Sequence, residues 1–205
     1  MLGVAWLSLL GGVAFGQGIT PPVFESRGGT KVEGMFEISN PADYAMATML
    51  EAKSFSVDDS GPTLRPLDAS IQVKLGSNSF ILKAHDKRMI FYKASFTTAP
   101  VSFAIVTSMS KAGALDGMRI NYIFPHIIYA YQKDKLTRSD VNIGVEGGFL
   151  RIHNLSQKMG RITTIQVAKS ELQGFPLYPG QTRLVPVTNN KLSVKFEDGF
   201  TIEVQ

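Results

Sequence analysis

Residues 117–131, GMRINYIFPHIIYAY, decide how this chain reads. Met118, Ile120, Tyr122 and Phe124 recur at period two, with Arg119, Asn121 and Ile123 on the opposite parity. Ile127, Ile128, Tyr129 and Tyr131 continue as a run of branched and aromatic side chains, which suit a pleated surface better than a helix. The stretch predicts one long strand over 117–131 that closes the first half of the protein. Gln132, Lys133, Asp134 and Lys135 then break the apolar pattern.

Strand signals extend outward on both sides. Residues 32–39 (VEGMFEIS) alternate loosely and stop at Asn40-Pro41, a turn signal. Residues 44–55 (YAMATMLEAKSF) leave helix and strand undecided, because Ala, Met, Leu and Glu favour helix while the periodicity does not decide. The DDSGP cluster at 58–62 is a turn, and strands are expected at 71–75, 80–82, 89–96 and 101–109. That makes about seven strands in roughly 110 residues, the density of an immunoglobulin-like sandwich. Beyond the charged break, strands are expected at 142–145, 149–153, 162–167, 182–187, 192–196 and 200–204. Gly147-Gly148, Lys158-Met159-Gly160, Pro179-Gly180, Asn189-Asn190 and Asp198-Gly199 separate them. The expected fold is all-β, with two immunoglobulin-like sandwich domains at 17–133 and 140–205 joined by a short linker at 134–139. The second is small, so its contact with the first bears on stability.

Composition removes several function classes. The formal charge of +4 is spread along the chain with no basic run interleaved with aromatics, so no nucleic-acid partner is expected. Cysteine is absent, which excludes disulfides, thiolate metal sites and cysteine nucleophiles. His85, His126 and His153 lie far apart without a carboxylate at ligand spacing, so no metal site is expected. No G-x-S-x-G, P-loop or dinucleotide-binding glycine run occurs, and no catalytic residue or small-molecule cofactor is expected. The N-terminus reads as an export signal: residues 1–15 (MLGVAWLSLLGGVAF) are apolar and too short to span a bilayer. Ala14 and Gly16 fit a signal-peptidase site before Gln17, although the segment lacks Lys and Arg. The other reading of 1–16 is a buried or membrane-lying helix.

The long strand itself has two readings. It is an internal strand whose side chains are ordinary core, or an exposed edge able to extend another protein's sheet. The residues leave both open, and with them a structural or adhesive envelope protein beside a strand-donating one.

The order of features resembles the PapD-like periplasmic pilus-assembly chaperones. The residues that carry the resemblance are Phe36 to Pro41 (FEISNP), Ser79 to Leu82 with Lys87 to Phe91, Val101 to Met109, and Met118 to Tyr131. In the second half they are Gly148 to Asn154 (GFLRIHN) and Leu177 to Arg183 (LYPGQTR). The resemblance implies two angled immunoglobulin-like domains and a periplasmic chaperone for pilus or surface-fibre subunits. It also implies an outer-membrane usher as a further partner, and no cofactor. Met118, Ile120, Tyr122 and Phe124 would then be the donor strand. In the family, basic residues near the start of the first domain and on its last strand hold the subunit's terminal carboxylate. Here those places fall near Pro21 and at Phe124-Pro125-His126, so Arg119, His126 and Arg27 are the candidates. A positively charged cleft holding Arg119 or His126 would favour the chaperone, and a flat neutral junction the structural protein.

Overall fold

The computed structural model describes residues 18–58, 61–113, 120–168, 170–188 and 191–204. The expected export signal at 1–16, the Asn189-Asn190 turn, and Met118 and Arg119 lie outside the described residues. The first half holds β1 (Gly18–Thr20), β2 (Val23–Arg27), β3 (Lys31–Ser39), β4 (Met46–Asp58) and β5 (Gly61–Pro66). It continues with β6 (Ile71–Leu75), β7 (Ser79–Leu82), β8 (Lys87–Phe96), β9 (Val101–Lys111) and β10 (Tyr122–Tyr131). These form a sheet ordered β1-β3-β8-β6 and a second ordered β2-β10-β9-β4-β5, with β7 on β4. The second half begins with a short 3-10 turn (Arg138–Asp140). It then holds β11 (Val141–Glu146), β12 (Phe149–Asn154), β13 (Gly160–Val167) and β14 (Ser170–Gln173). β15 (Pro176–Leu177), β16 (Thr182–Pro186), β17 (Leu192–Phe196) and β18 (Thr201–Val204) complete it. Its sheets are β11-β12-β16 and β14-β13-β17-β18, with β15 on β13.

Alternation builds each core. Along β8, Ile90, Tyr92, Ala94 and Phe96 are buried while Met89, Phe91 and Lys93 face out. They pack with Phe36, Ile38, Met46, Phe103, Ile105 and Ile128 between the first two sheets. Leu150, Ile152, Ile162, Ile165, Val194 and Phe196 do the same between the second two. Gly147 and Gly148 both have positive φ (58° and 80°), as the tight hairpin from β11 to β12 requires.

The undecided segment 44–55 is strand from Met46 onward. β4 is paired with β9 from Met46 to Ser54 and on its other side with β7 and β5, so two ladders outweigh local helix preference. β1, β2, β5, β14 and β15 are not expected from the sequence, being short, proline-bearing or polar. The long strand expected over 117–131 begins at Tyr122. Ile120 and Asn121 precede it unpaired, and 117–119 lie outside the described residues. Both halves close with the same device. The side-chain amide of Asn40, at the end of β3, donates to the carbonyls of Tyr44 (2.9 Å) and Lys83 (2.8 Å). That of Asn154, at the end of β12, donates to those of Lys158 (2.6 Å) and Tyr178 (2.9 Å).

Candidate functional site

β10 is unequally paired on its two sides. Towards β9 it is laddered from Tyr122 to Ala130. Towards β2 the parallel ladder covers only Ile127 to Tyr131. Between Tyr122 and His126 no strand is paired on that side among the described residues. The Ile127 amide donates to the Pro22 carbonyl (2.9 Å), and the Tyr131 carbonyl accepts from the Gly28 amide (3.0 Å). Odd-numbered residues of β10 therefore turn their backbone groups away from β9, and by the pleat Ile123 and Pro125 do likewise. The missing amide of Pro125 thus costs no β9 bond, which is how a proline sits inside this strand. The open edge offers the amide and carbonyl of Ile123 and the carbonyl of Pro125.

Side chains on this edge are apolar on both faces. Tyr122 and Phe124 pack half-buried against the first core, their rings parallel at 6.3 Å. Ile123, on the outer face, is 61% exposed. Ser108 lies opposite Ile123, and Met49 opposite Ser108. This row leads into a groove of about 580 Å³ lined by Met49, Phe80, Ile81, Ser108 and Asn121. Ile120, just before the strand, is also exposed.

The anchor candidates are not brought together. His126 is fully buried, stacked on Phe36 at 4.5 Å. Its Nδ1 lies 2.8 Å from the Pro21 carbonyl and its Nε2 lies 3.1 Å from the Tyr92 hydroxyl. A carbonyl only accepts, so Nδ1 carries the proton and Nε2 accepts from Tyr92. Burial holds the imidazole below its ordinary pKa, against the opposing pull of the Pro21 carbonyl. With both nitrogens engaged and no charge, His126 is an internal brace between the sheets rather than an anchor for a carboxylate. Tyr92 reaches it because position 34 is glycine: a β-carbon there would fall on the tyrosine's hydroxyl and ring.

Arg27 is committed elsewhere. Its guanidinium lies 3.3 Å from Asp198 and 3.6 Å from Glu197, over the ring of Tyr131. It joins the two halves, as does the ion pair of Arg161 with Glu25. Gln132 adds a reciprocal pair with the Met159 backbone, donating to its carbonyl (2.9 Å) and accepting from its amide (3.1 Å). Between these lie Phe55, Val106, Tyr129, Tyr131, Met159 and Tyr178, all buried. Burial pushes the phenols of Tyr129, Tyr131 and Tyr178 up, so they stay neutral. Among the described residues this junction is aromatic and ion-paired, not the positively charged cleft expected around His126; Arg119, the other residue expected there, lies outside the described residues. Sequence reasoning missed Tyr92 and Gly34; Pro21-Pro22 against Pro125-His126 is the signal, but it needs the register to be read.

No protein-family model matches the sequence, and no curated protein is a significant match. The fold nevertheless has clear counterparts. It is the two-sandwich fold of the PapD-like fimbrial chaperones. The chain is similar to the E. coli chaperone DraB, 15% identical with a TM-score of 0.59, over 93% of this chain and 98% of that one. It is similar to the class 5 fimbriae chaperone CfaA, 13% identical with a TM-score of 0.60, over 91% and 98%. It is also similar to a structure of the Salmonella enterica SafA pilin in complex with the SafB chaperone, 12% identical with a TM-score of 0.58, over 93% and 97%.

Proposed function

We propose that this protein is a periplasmic chaperone for subunits of a pilus or other surface fibre, exported by residues 1–16. It lends the open edge of β10 to a subunit that lacks a strand. The observation that carries this reading is the one-sided pairing of Tyr122 to His126, within a sheet whose other β10 partner stops at Ile127. A donated strand would pair through the Ile123 amide and carbonyl and the Pro125 carbonyl. Ile120, Tyr122 and Phe124, with Met118, supply the apolar side chains, and the groove beside Met49 and Ile81 continues the surface. The likeness to chaperone folds, one of them solved with a pilin, supports the same class of partner. An outer-membrane usher would take the loaded complex onward. Arg119 is the cation this reading retains for a subunit carboxylate, since His126 and Arg27 have internal partners. No cofactor enters, and no step of catalysis.

The test is capture from the native envelope. Tagged wild type should bring down a small β-rich subunit. Ile120→Asp with Tyr122→Asp, and separately Ile123→Pro, should lose it while circular dichroism stays unchanged. Ile123→Pro removes an amide that faces the open edge, along with the exposed Ile123 side chain, but no β9 bond. Undiminished capture by both variants, or none by the wild type, would return the chain to the structural or adhesive reading.

A further inference from the structure

The open edge of β10 has a defined length, and the chain's own N-terminal segment sets it. β1 lies in one sheet, antiparallel to β3, and β2 lies in the other, parallel to β10. Pro21 and Pro22 carry the chain across the gap between the sheets. Their carbonyls take consecutive partners on β10: Pro21 accepts from the His126 ring, Pro22 from the Ile127 amide. Beyond that point the next rung of the β2–β10 ladder would need the amide of residue 22 or that of residue 125, and both are proline, so neither exists. The His126 ring is itself fixed by the Tyr92 hydroxyl and the Phe36 face, and Gly34 leaves Tyr92 the room.

We infer that His126, with Pro21, Pro22 and Pro125, is a built-in stop that keeps the protein's own first strands from closing over β10 and so reserves Ile123 to Pro125 for a partner strand. His126 is a positioning residue in this device: its own amide faces β9, and it holds the crossover through the ring's bond to the Pro21 carbonyl. The reservation for a partner rests on the strand-donation reading; the stop itself does not.

The experiment is residue-resolved amide exchange by NMR on the isolated protein, with no subunit present. The readout is the amides of Ile127, Phe24 and Ser26, and the internal reference is Leu50 in β4, whose amide donates to the Asn78 carbonyl away from residue 126. His126→Leu keeps apolar bulk but loses both bonds. His126→Asn places an amide nitrogen where Nδ1 stood. Against Leu50, the leucine variant should speed exchange at Ile127 and Phe24 by about tenfold, and asparagine should restore it to within about threefold of wild type. Unchanged protection in the leucine variant, or no rescue by asparagine, overturns the stop. Should the leucine variant not fold, His126→Gln replaces it, since its amide reaches the Nε2 position instead. Asparagine must then protect Ile127 better than glutamine does, and equal protection overturns the stop. Failure of the wild type to capture any subunit would defeat strand donation alone and leave this exchange pattern standing.

Discussion

At the scale of the residue, the His126 imidazole makes stability depend on pH in a definite direction. Its pKa lies below the ordinary 6.5, chiefly through burial, so the unfolded chain takes up the proton first as pH falls. The neutral ring therefore stabilises the fold above the unfolded value and loses that contribution as the medium acidifies. Among the described residues no carboxylate is a partner of the ring; it meets Pro21, Tyr92 and Phe36. Urea-unfolding free energy should fall between about pH 7 and pH 5, and the gap between wild type and His126→Asn should narrow over that range. Tyr92→Phe keeps the ring but leaves Nε2 a buried acceptor without a donor. It should cost about 1–3 kcal/mol at neutral pH by chemical denaturation. Gly34 sets this site before any of the polar atoms do, since tyrosine lies flat across the place a side chain would fill.

At the scale of the element, the paired asparagine closures explain why two thin sandwiches hold their strand ends. Asn154 is fully buried, and its side-chain oxygen accepts from the Ser156 amide (3.0 Å) and hydroxyl (2.8 Å) while its nitrogen serves three carbonyls. Aspartate has the same shape but donates nothing, and it would set a negative charge against those carbonyls. Asn154→Asp should destabilise the second sandwich by about 3 kcal/mol, more than Asn154→Ser, read from the midpoint of thermal unfolding. Asn40, 1% exposed with the same pattern in the first sandwich, should respond in the same way. β10 is the element where packing and function meet. Its C-terminal half is clamped between β2 and β9, and its N-terminal half is held on one side only.

At the scale of the molecule, the two halves are joined by a buried aromatic cluster framed by Arg27, Arg161 and Gln132. The Asp198 side chain is 2% exposed and also accepts from the Leu136 amide at 3.0 Å, so it ties the linker and the first sandwich to the hairpin between β17 and β18. Asp198→Ala leaves that amide and Arg27 short of a partner. It should cost about 1–3 kcal/mol and split a single calorimetric transition into two, as the halves unfold independently. A single transition at an unchanged midpoint would remove the junction from the account of stability.

Period-two alternation and turn chemistry made the all-β class, the two-sandwich architecture and the position of most strands legible, because those signals are local in the chain. Helix preference in 44–55 was misleading as long as the partners of β4 were unknown, and short polar or proline-bearing strands such as β2 and β5 carry no periodic signal. Tyr122 and Phe124 were legible as one apolar parity. What made them an edge was not: that depends on β2 stopping at Ile127, which is settled by Pro21 and Pro22 meeting β10 across 105 residues of sequence. For the same reason a histidine and an arginine offered as candidates to hold a subunit's carboxylate are found as an internal brace and a domain tie. The sequence by itself determined which residues alternate and where the chain turns. Only the tertiary structure decided which strand keeps an open side and which polar groups are already satisfied, because pairing and burial belong to neighbours that the linear order does not name.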